Sequence, residues 1–184
     1  MSLRVVSGSA KGRRLKSVPG ESTRPVTDKV KQALFNILAG DVQDTSWWDL
    51  FGGTGAIGIE ALSRGAAFVR FSDLDRRAVE TIKSNLEVTR LMEQAEVHRG
   101  DAFAMLAAHP DRLFDFVYIA PPQYQELWSK ALLSLDGSPG WLNEAAWVIV
   151  QIHPREYRHL ELKNLEEFEE RKYGSTLLVF YEKK

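Results

Sequence analysis

A glycine-rich loop contains the residues of this chain that are best suited to bind a small ligand. An apolar run at residues 47–51 predicts a buried strand, and the pattern at residues 56–63 predicts a helix after it. Gly52, Gly53 and Gly55 lie between the two. Because glycine has no Cβ, this loop can turn sharply and its backbone can approach a ligand closely. The pattern therefore predicts a ligand site at the turn from strand to helix.

An acidic residue follows the next predicted strand, at residues 67–72. Asp73 stands directly after that strand, where its carboxylate could bind the two hydroxyls of a ribose. A strand, a glycine loop, a helix and a carboxylate at the end of the second strand are together typical of a nucleoside-binding βαβ unit.

Two nucleoside cofactors fit this unit. A dinucleotide spacing, G-x-G-x-x-G, begins at Gly53, so a nicotinamide cofactor is one interpretation. S-adenosylmethionine is the other. Asp49 precedes the turn, where its charge would repel a pyrophosphate but attract the ammonium of a methionine moiety. Farther along, residues 120–124 (Ala-Pro-Pro-Gln-Tyr) follow a predicted strand. They resemble the Asp/Asn-Pro-Pro-aromatic loop of methyltransferases that act on planar amino groups. These two features favour S-adenosylmethionine.

The composition is that of one globular domain. With 184 residues, of which 44% are hydrophobic, the chain can bury about two-thirds of its unfolded surface. It contains no cysteine, which excludes disulfides, thiolate metal ligands and cysteine nucleophiles. No apolar run approaches the ~20 residues of a membrane span. The N-terminus also lacks an apolar signal core, so a cytoplasmic location and no contact with a membrane are expected.

The charge of the chain is unevenly distributed. The net charge is −1, but residues 4–31 carry eight basic and two acidic residues, a net charge of +6 that leaves −7 on the remainder. A basic arm on an acidic body is typical of nucleic-acid binding by one face, because cations position phosphates without reading sequence. A solvated extension without a partner is the alternative. The candidate RNA contacts are Arg4, Lys11, Arg13, Arg14 and Lys16, and the other basic residues are Arg24, Lys29 and Lys31.

Predicted helices and strands alternate along the rest of the chain. Thr27 is a candidate N-cap for a first helix that runs to about Ala39, with Gly40 as its stop. The alternation predicts a mostly parallel sheet covered on both faces, with the ligand at the carboxyl ends of its strands. The further elements are helices at 76–89, 102–108 and 124–135, strands at 95–98, 115–119 and 147–152, a hairpin at 168–181, and a small hairpin that pairs residues 5–6 with 15–18.

Three blocks of the sequence resemble the bacterial small-subunit (16S) rRNA guanine-N2 methyltransferases, and the similarity runs nearly end to end. The first block comprises residues 4–15, 23–25 and 33–38. The second is the glycine segment at residues 49–65, and the third is the proline-proline loop. The first block is the most specific, because generic methyltransferase domains lack it.

The resemblance implies a Rossmann-like class I methyltransferase fold. This is an α/β fold with a mostly parallel seven-stranded sheet, helices on both faces and a small basic N-terminal extension. Residues 1–26 would form that extension and contact RNA, and residues 27–184 would form the methyltransferase domain.

The resemblance also implies S-adenosylmethionine as the cofactor and gives roles to individual residues. Asp73 would bind the ribose hydroxyls, Asp101 would lie beside the adenine amine, and Arg24 would help close the 23–25 segment over the carboxylate of the cofactor. Asp49 and Asp101 could instead be loop or helix caps. Asp75 is expected to cap the next helix, with a shared role in binding the ribose beside Asp73 as the alternative. The residues implied to surround the methionine end are Asp49, Phe51, Gly53 and Gly55.

The proline-proline loop departs from the family pattern at two positions. Ala120 stands where the family usually has Asp, and Gln123 moves the aromatic residue, Tyr124, one place later. In the usual loop, oxygens accept the amino hydrogens, two prolines (here Pro121 and Pro122) keep the backbone rigid, and the aromatic ring stacks on the base. An alanine methyl cannot accept a hydrogen bond, and losing one such contact costs on the order of a hundredfold to a thousandfold in rate. Either the side-chain carbonyl of Gln123 takes this role, or catalysis is weak or lost.

The expected function is methyl transfer from S-adenosylmethionine to the N2 amine of a guanine in small-subunit rRNA. The expected partner is ribosomal RNA or the small ribosomal subunit, and the protein is expected to be a monomer. Three alternatives remain: an adenine N6 or a glutamine amide as the acceptor, an RNA-binding or ribosome-assembly protein with weakened catalysis, and a nicotinamide oxidoreductase. The four histidines show no metal-ligand spacing, so no metal is expected.

Overall fold

A computed structural model describes residues 3–20 and 26–184, which form an α/β fold around one seven-stranded sheet. The strand order is β3-β2-β1-β4-β5-β7-β6. Neighbours from β3 to β5 pair in parallel, whereas β7 runs antiparallel to both β5 and β6. The predicted mostly parallel sheet and the C-terminal hairpin are therefore confirmed. The strands are β1 (Ser46–Asp49), β2 (Phe68–Asp73), β3 (Ala95–Arg99), β4 (Phe114–Ile119), β5 (Leu142–Ile152), β6 (Leu165–Tyr173) and β7 (Thr176–Lys183).

Helices cover both faces of the sheet, as predicted. Successive residues of a strand point to opposite faces, so Trp47 and Trp48 of β1 are both buried but belong to different apolar clusters. The cluster of Trp47 includes residues of α1, α2 and α3, and the cluster of Trp48 includes residues of α4 and α5. The helices are α1 (Asp28–Leu38), α2 (Ala56–Ser63), α3 (Arg76–Thr89), α4 (Ala102–Ala107) and α5 (Leu127–Asp136).

The end of α1 and the start of α5 differ from the predicted boundaries because of local backbone conformation. The side chain of Thr27 caps α1 as predicted, but the helix ends at Leu38, because Ala39 adopts φ 46° and a short 3-10 turn follows. α5 begins at Leu127, and the predicted start at Tyr124 is wrong. Tyr124 and Glu126 have φ values of 61° and 55°, in the left-handed region, which a right-handed helix cannot include.

Residues 3–20 pack onto the body of the protein. Val5 donates a backbone hydrogen bond to the carbonyl of Arg13 at 2.9 Å, and Leu15 donates one to the carbonyl of Leu3 at 2.8 Å. The predicted small hairpin thus exists, but its pairing differs, because the antiparallel bridge joins residues 4 and 14. The side chains of Leu3, Val5, Ala10 and Leu15 are buried in the same cluster as α2.

A buried carboxylate on α2 anchors this segment. Glu60 is fully buried, and its two oxygens accept hydrogen bonds from the backbone N–H groups of Val6 at 2.8 Å and Ser7 at 3.0 Å. Two cations also contact it: Lys31 Nζ lies 3.3 Å away and Arg64 Nε 2.9 Å away. Each oxygen of Glu60 therefore has one backbone N–H and one cation as partners, which satisfies the requirement that a buried charge be paired.

Lys31 is not part of the exposed basic arm, contrary to the charge count above. Its side chain is fully buried, and it donates a hydrogen bond to the backbone carbonyl of Arg4 in addition to pairing with Glu60. Burial lowers the pKa of Lys31, while the charge of Glu60 opposes that change. Lys31 lies on the buried face of α1. Its burial could not be predicted from the pattern of α1 alone, because the partner carboxylate lies on another helix.

None of the helices among residues 3–20 and 26–184 has the length and apolar composition needed to cross a membrane.

We expect Glu60→Ala to lower the free energy of unfolding by about 3–5 kcal/mol, because it removes the carboxylate that compensates for the burial of the Lys31 ammonium. Urea denaturation monitored by tryptophan fluorescence measures this change. Glu80→Ala is the matched control, since the Arg76–Glu80 pair has side chains 72% and 61% exposed. Its effect should stay within about 0.5 kcal/mol. Equal effects of the two substitutions would contradict the anchoring role of Glu60.

Candidate active site

The carboxyl ends of four neighbouring parallel strands carry the predicted site residues. Asp49 ends β1 and Asp73 ends β2. Asp101 follows β3 after one intervening residue, and Ala120 directly follows β4. Because these strands are adjacent and parallel, their ends lie along one edge of the sheet, which is where such folds bind ligands.

The glycine loop turns sharply between β1 and α2. The N–H of Gly55 donates to the carbonyl of Gly52 at 2.8 Å, which closes the turn, and α2 begins at the next residue. Gly53 has φ +58°, and a Cβ on it would meet no atom within 4 Å, so its backbone borders open space. At Gly58 a Cβ would lie 2.3 Å from the ring of Phe71. The third glycine of the motif therefore allows α2 to pack closely on the sheet.

Asp49, at the end of β1, is buried and contacts the first turn of α2. Its Oδ2 accepts a hydrogen bond from the N–H of Gly58 at 3.3 Å. Burial raises the pKa of Asp49 well above its usual range, the Gly58 hydrogen bond opposes that rise, and the charge of Asp73 adds to it. Tyr118 is its neighbour on β4; burial, followed by the charge of Asp49, raises the pKa of this phenol. A carboxylate held in this way favours a cationic ligand.

Asp73 anchors the glycine loop to the end of β2. Its Oδ2 accepts a hydrogen bond from the N–H of Gly53 and its Oδ1 one from the N–H of Asp75, each at 2.9 Å. Each oxygen has a further lone pair for a ligand. Asp75 caps α3 as predicted, by accepting from the N–H of Arg77 at 2.8 Å. Hydrogen bonds from the Arg77 side chain lower the pKa of Asp75.

Asp101 caps α4 through its Oδ1, which accepts from the N–H of Phe103 at 3.0 Å. The capping alternative is thus confirmed for this residue, and the cap uses one of its two oxygens. The rings of Phe51 and Phe103 meet edge to face with centroids 6.3 Å apart, and Lys130 Nζ lies 4.1 Å from the centroid of Phe103. Two aromatic rings therefore accompany the acidic residues of the site.

The proline-proline loop leaves β4 beside Asp49. Ala120 is half-buried and packs against the apolar cluster that contains Trp47 and Tyr118. Pro121 is also half-buried. Pro122 and Gln123 are exposed, and the side chain of Tyr124 is 63% exposed. The loop thus offers an amide and an aromatic ring to an incoming substrate.

The predicted RNA contacts are exposed on the N-terminal segment. Arg4 Nε pairs with Asp28 at 2.9 Å, and Lys16 Nζ donates to the hydroxyl of Ser84 at 2.9 Å. Arg24, predicted to contact the cofactor, lies outside the described residues. The remaining exposed cations of the segment are Lys11, Arg13 and Arg14.

Asn85 joins the N-terminal segment to the glycine loop, a role that the sequence pattern does not predict. Its fully buried side chain accepts from the N–H of Lys16 at 2.7 Å and donates to the carbonyl of Lys16 at 3.1 Å. It also donates to the carbonyl of Thr54 at 2.9 Å. The sequence feature that could have indicated this role is the presence of a polar residue on the apolar face of α3, between Ile82 and Leu86.

Comparison with known sequences assigns the chain to a family. A family profile described as conserved hypothetical protein 95 matches residues 3–182. The chain belongs to this family. Similar proteins include YlbH of Bacillus subtilis (strain 168), provisionally named an rRNA methyltransferase, at 41% identity over 99% of this chain and 100% of that protein. Ribosomal RNA small subunit methyltransferase D of Escherichia coli (strain K12) is 33% identical over 81% of this chain and 74% of its own length.

Solved structures support the same fold for this member of the conserved hypothetical protein 95 family. The Escherichia coli protein yhhF, provisionally named a methyltransferase, matches with a TM-score of 0.88 and 29% identity over 100% of this chain and 99% of that chain. An RNA methyltransferase from Salinibacter ruber in complex with S-adenosyl-L-homocysteine matches with a TM-score of 0.64 and 14% identity, over 86% of this chain and 93% of that chain. The Rossmann-like methyltransferase fold is therefore confirmed.

Among residues 3–20 and 26–184, no three or more histidine, aspartate or glutamate side chains are grouped so that they could hold a metal ion.

We expect Asp49→Asn to raise the free energy of unfolding at neutral pH, because burial disfavours the ionised form of Asp49 and asparagine has no ionised form. Because the pKa of Asp49 is raised in the folded state, the residue is protonated in both the folded and the unfolded protein at a pH below the ordinary aspartate pKa of about 3.9, and it does not oppose folding there. As the pH rises from there to the raised pKa, ionisation of Asp49 increasingly opposes folding. Urea denaturation at a series of pH values should therefore show a gain that is absent in acid and grows with pH.

Asp41→Asn, at an exposed position, is the matched control and should change stability little at any pH. An Asp49→Asn variant that is no more stable than the wild type at neutral pH would contradict the assignment of a desolvated charge to Asp49.

Proposed function

We propose that this protein transfers a methyl group from S-adenosylmethionine to ribosomal RNA, and that the acceptor is the N2 amine of a guanine in small-subunit rRNA. The observation that carries the proposal is the convergence of Asp49 and Asp73 with the proline-proline loop at one edge of the sheet. Relatives named ribosomal RNA small subunit methyltransferase D, at 34% and 33% identity, support the choice of RNA.

The residues present fit the cofactor. Asp49, a buried carboxylate with a backbone N–H as hydrogen-bond donor, suits the ammonium of the methionine end. Asp73 would bind the ribose hydroxyls through the lone pairs left by its two backbone hydrogen bonds, and Asp101 would accept from the adenine amine through the oxygen that does not cap α4. The other proposed contacts are Phe51, Gly53 and Gly55, which line the loop, and Arg24.

The proline-proline loop would present the acceptor amine. When bound, S-adenosylmethionine supplies a methyl group on a positively charged sulfonium. Pro121 and Pro122 fix φ and keep the loop rigid, and Tyr124 offers its exposed ring to a base splayed out of the RNA. The side-chain carbonyl of Gln123 can accept an amino hydrogen, which the methyl group of Ala120 cannot do. Positioning and electrostatics supply most of the rate, so no strong base is required.

The N-terminal segment would hold the RNA beside this loop. Its exposed cations lie on a segment that Glu60 fixes to α2 and Asn85 fixes to the glycine loop. Phosphate contacts from such a segment give affinity and orientation without reading sequence, while the proline-proline loop acts on one base.

Unmodified small ribosomal subunits incubated with radiolabelled S-adenosylmethionine should acquire label that nucleoside analysis identifies as N2-methylguanosine. Asp73→Lys should abolish transfer, because a cation at this position repels the cofactor and cannot accept from ribose hydroxyls. Label found in N6-methyladenosine or in protein would contradict the proposed acceptor, and no label despite intact cofactor binding would contradict the proposed reaction.

Replacing Arg13 and Arg14 with alanine should weaken RNA binding and flatten its salt dependence. Each lost phosphate contact reduces the magnitude of the negative slope of log affinity against log salt by about 0.7–0.9, so the pair should reduce it by about 1.5. Fluorescence anisotropy with an rRNA fragment at several salt concentrations measures the slope. Alanine at Arg171 and Lys172, an adjacent exposed pair on the edge strand β6, is the control. An unchanged slope in the Arg13 and Arg14 variant would contradict a phosphate-contacting role.

One observation favours a second candidate, an RNA-binding or ribosome-assembly protein with weakened catalysis. Ala120 lacks the hydrogen-bond acceptor that the family usually places there. Ala120→Asp separates the two functions in the methyl-transfer assay. A gain of about a hundredfold would indicate a weakened active site, whereas no gain would indicate that another group, for which Gln123 is the candidate, already accepts the amine hydrogen.

A further inference from the structure

A glutamate from the loop after β5 accepts a hydrogen bond from the proline-proline loop. Glu156 ends a short 3-10 turn, Pro154–Glu156, that follows β5. Its Oε2 accepts from the N–H of His153 at 3.0 Å, which belongs to the capping box of that turn. Its Oε1 accepts from the N–H of Tyr124 at 2.8 Å, across 32 residues of sequence. One carboxylate therefore joins the two loops.

Tyr124 adopts a backbone conformation that is unfavourable for a residue other than glycine. Its φ of 61° lies in the left-handed region, which costs a non-glycine residue on the order of 1–2 kcal/mol. The additional residue Gln123 precedes it, so the aromatic side chain comes one position later than in the family pattern. The N–H of this left-handed residue is the one that Glu156 accepts.

The same carboxylate brings two rings together at the surface. The centroids of the Tyr124 and His153 rings are 5.8 Å apart, with an angle of 41° between their planes. His153 is oriented by its own backbone contact, because its Nδ1 accepts from the N–H of Arg155 at 3.1 Å. With Nδ1 as the acceptor, the neutral ring carries its proton on Nε2 and can donate from there.

We propose that Glu156 is a positioning residue that holds Tyr124 and His153 as a two-ring platform for the target base. This inference rests on the proposed function, since the platform serves the base that the enzyme methylates. Glu156 acts through the backbone of Tyr124 and does not touch the base. Tyr124 supplies the exposed stacking surface, and the His153 ring bounds the platform on the side of β5. The platform compensates for the displacement of the aromatic residue by Gln123.

A double-mutant cycle in the methyl-transfer assay tests this role. Tyr124→Ala should raise KM for the RNA substrate about 10-fold, within the range expected for loss of one base–aromatic stack. Glu156→Ala should raise it by a similar factor in the wild-type background but less than 2-fold in the Tyr124→Ala background. Tyr124→Phe keeps the ring and should retain KM within 2-fold. Affinity for S-adenosylhomocysteine should stay within 2-fold of wild type in every variant, which separates this role from misfolding.

Glu144→Gln is the control for loss of a carboxylate, because its side chain is 96% exposed on β5. An unchanged KM in Glu156→Ala, or equal effects in both backgrounds, would overturn the positioning role. If the wild-type protein transfers no methyl group, the proposed reaction is wrong. The affinity of the same variants for rRNA is then measured in place of KM. An RNA affinity that neither Tyr124→Ala nor Glu156→Ala changes would overturn the platform as well.

Discussion

The buried carboxylate of Glu60 is the interaction on which the arrangement of the N-terminal half depends. A charge at this depth is stable only if its oxygens are paired, and the pairs come from three different segments. Lys31 comes from α1, Arg64 from the end of α2, and the backbone N–H groups of Val6 and Ser7 from the basic segment. Folding of α2 against the sheet therefore also positions α1 and the basic segment.

α2 consequently connects the two ends of the proposed reaction. Its first turn supplies Gly58, whose N–H binds Asp49 in the cofactor site. Its middle residue Glu60 fixes the segment that carries the exposed cations. Asn85 makes a second connection, from the backbone of Lys16 to the carbonyl of Thr54 in the glycine loop. Proposed RNA contacts and proposed cofactor contacts are thus parts of one hydrogen-bonded unit.

The proposed site contains two features that oppose folding. Asp49 is a carboxylate removed from water, and Tyr124 holds a left-handed backbone conformation. Each makes a hydrogen bond: the Asp49 carboxylate accepts from the N–H of Gly58, and the N–H of Tyr124 donates to Glu156. Such features persist where the surrounding structure over-determines them, and they are concentrated at functional sites. Asp49, the last residue of β1, and Tyr124, in the loop after β4, both lie at the carboxyl edge of the sheet, where a ligand would stabilise the charge and a base would cover the ring.

The sequence by itself determined the fold class, the order of helices and strands, and the glycine loop with Asp73 at the end of β2. These depend on periodicity, turn residues and caps such as Thr27, which act between neighbours in the chain. Only the tertiary structure decided which distant groups meet. Lys31 belongs to the arm in sequence but pairs with Glu60 in space, and Tyr124 continues a helical pattern but bonds to Glu156 instead. Local patterns cannot encode these pairings. A buried charge or a backbone N–H in a left-handed residue bonds to a group on another element, and the packing of elements distant in sequence decides which group lies within hydrogen-bond distance.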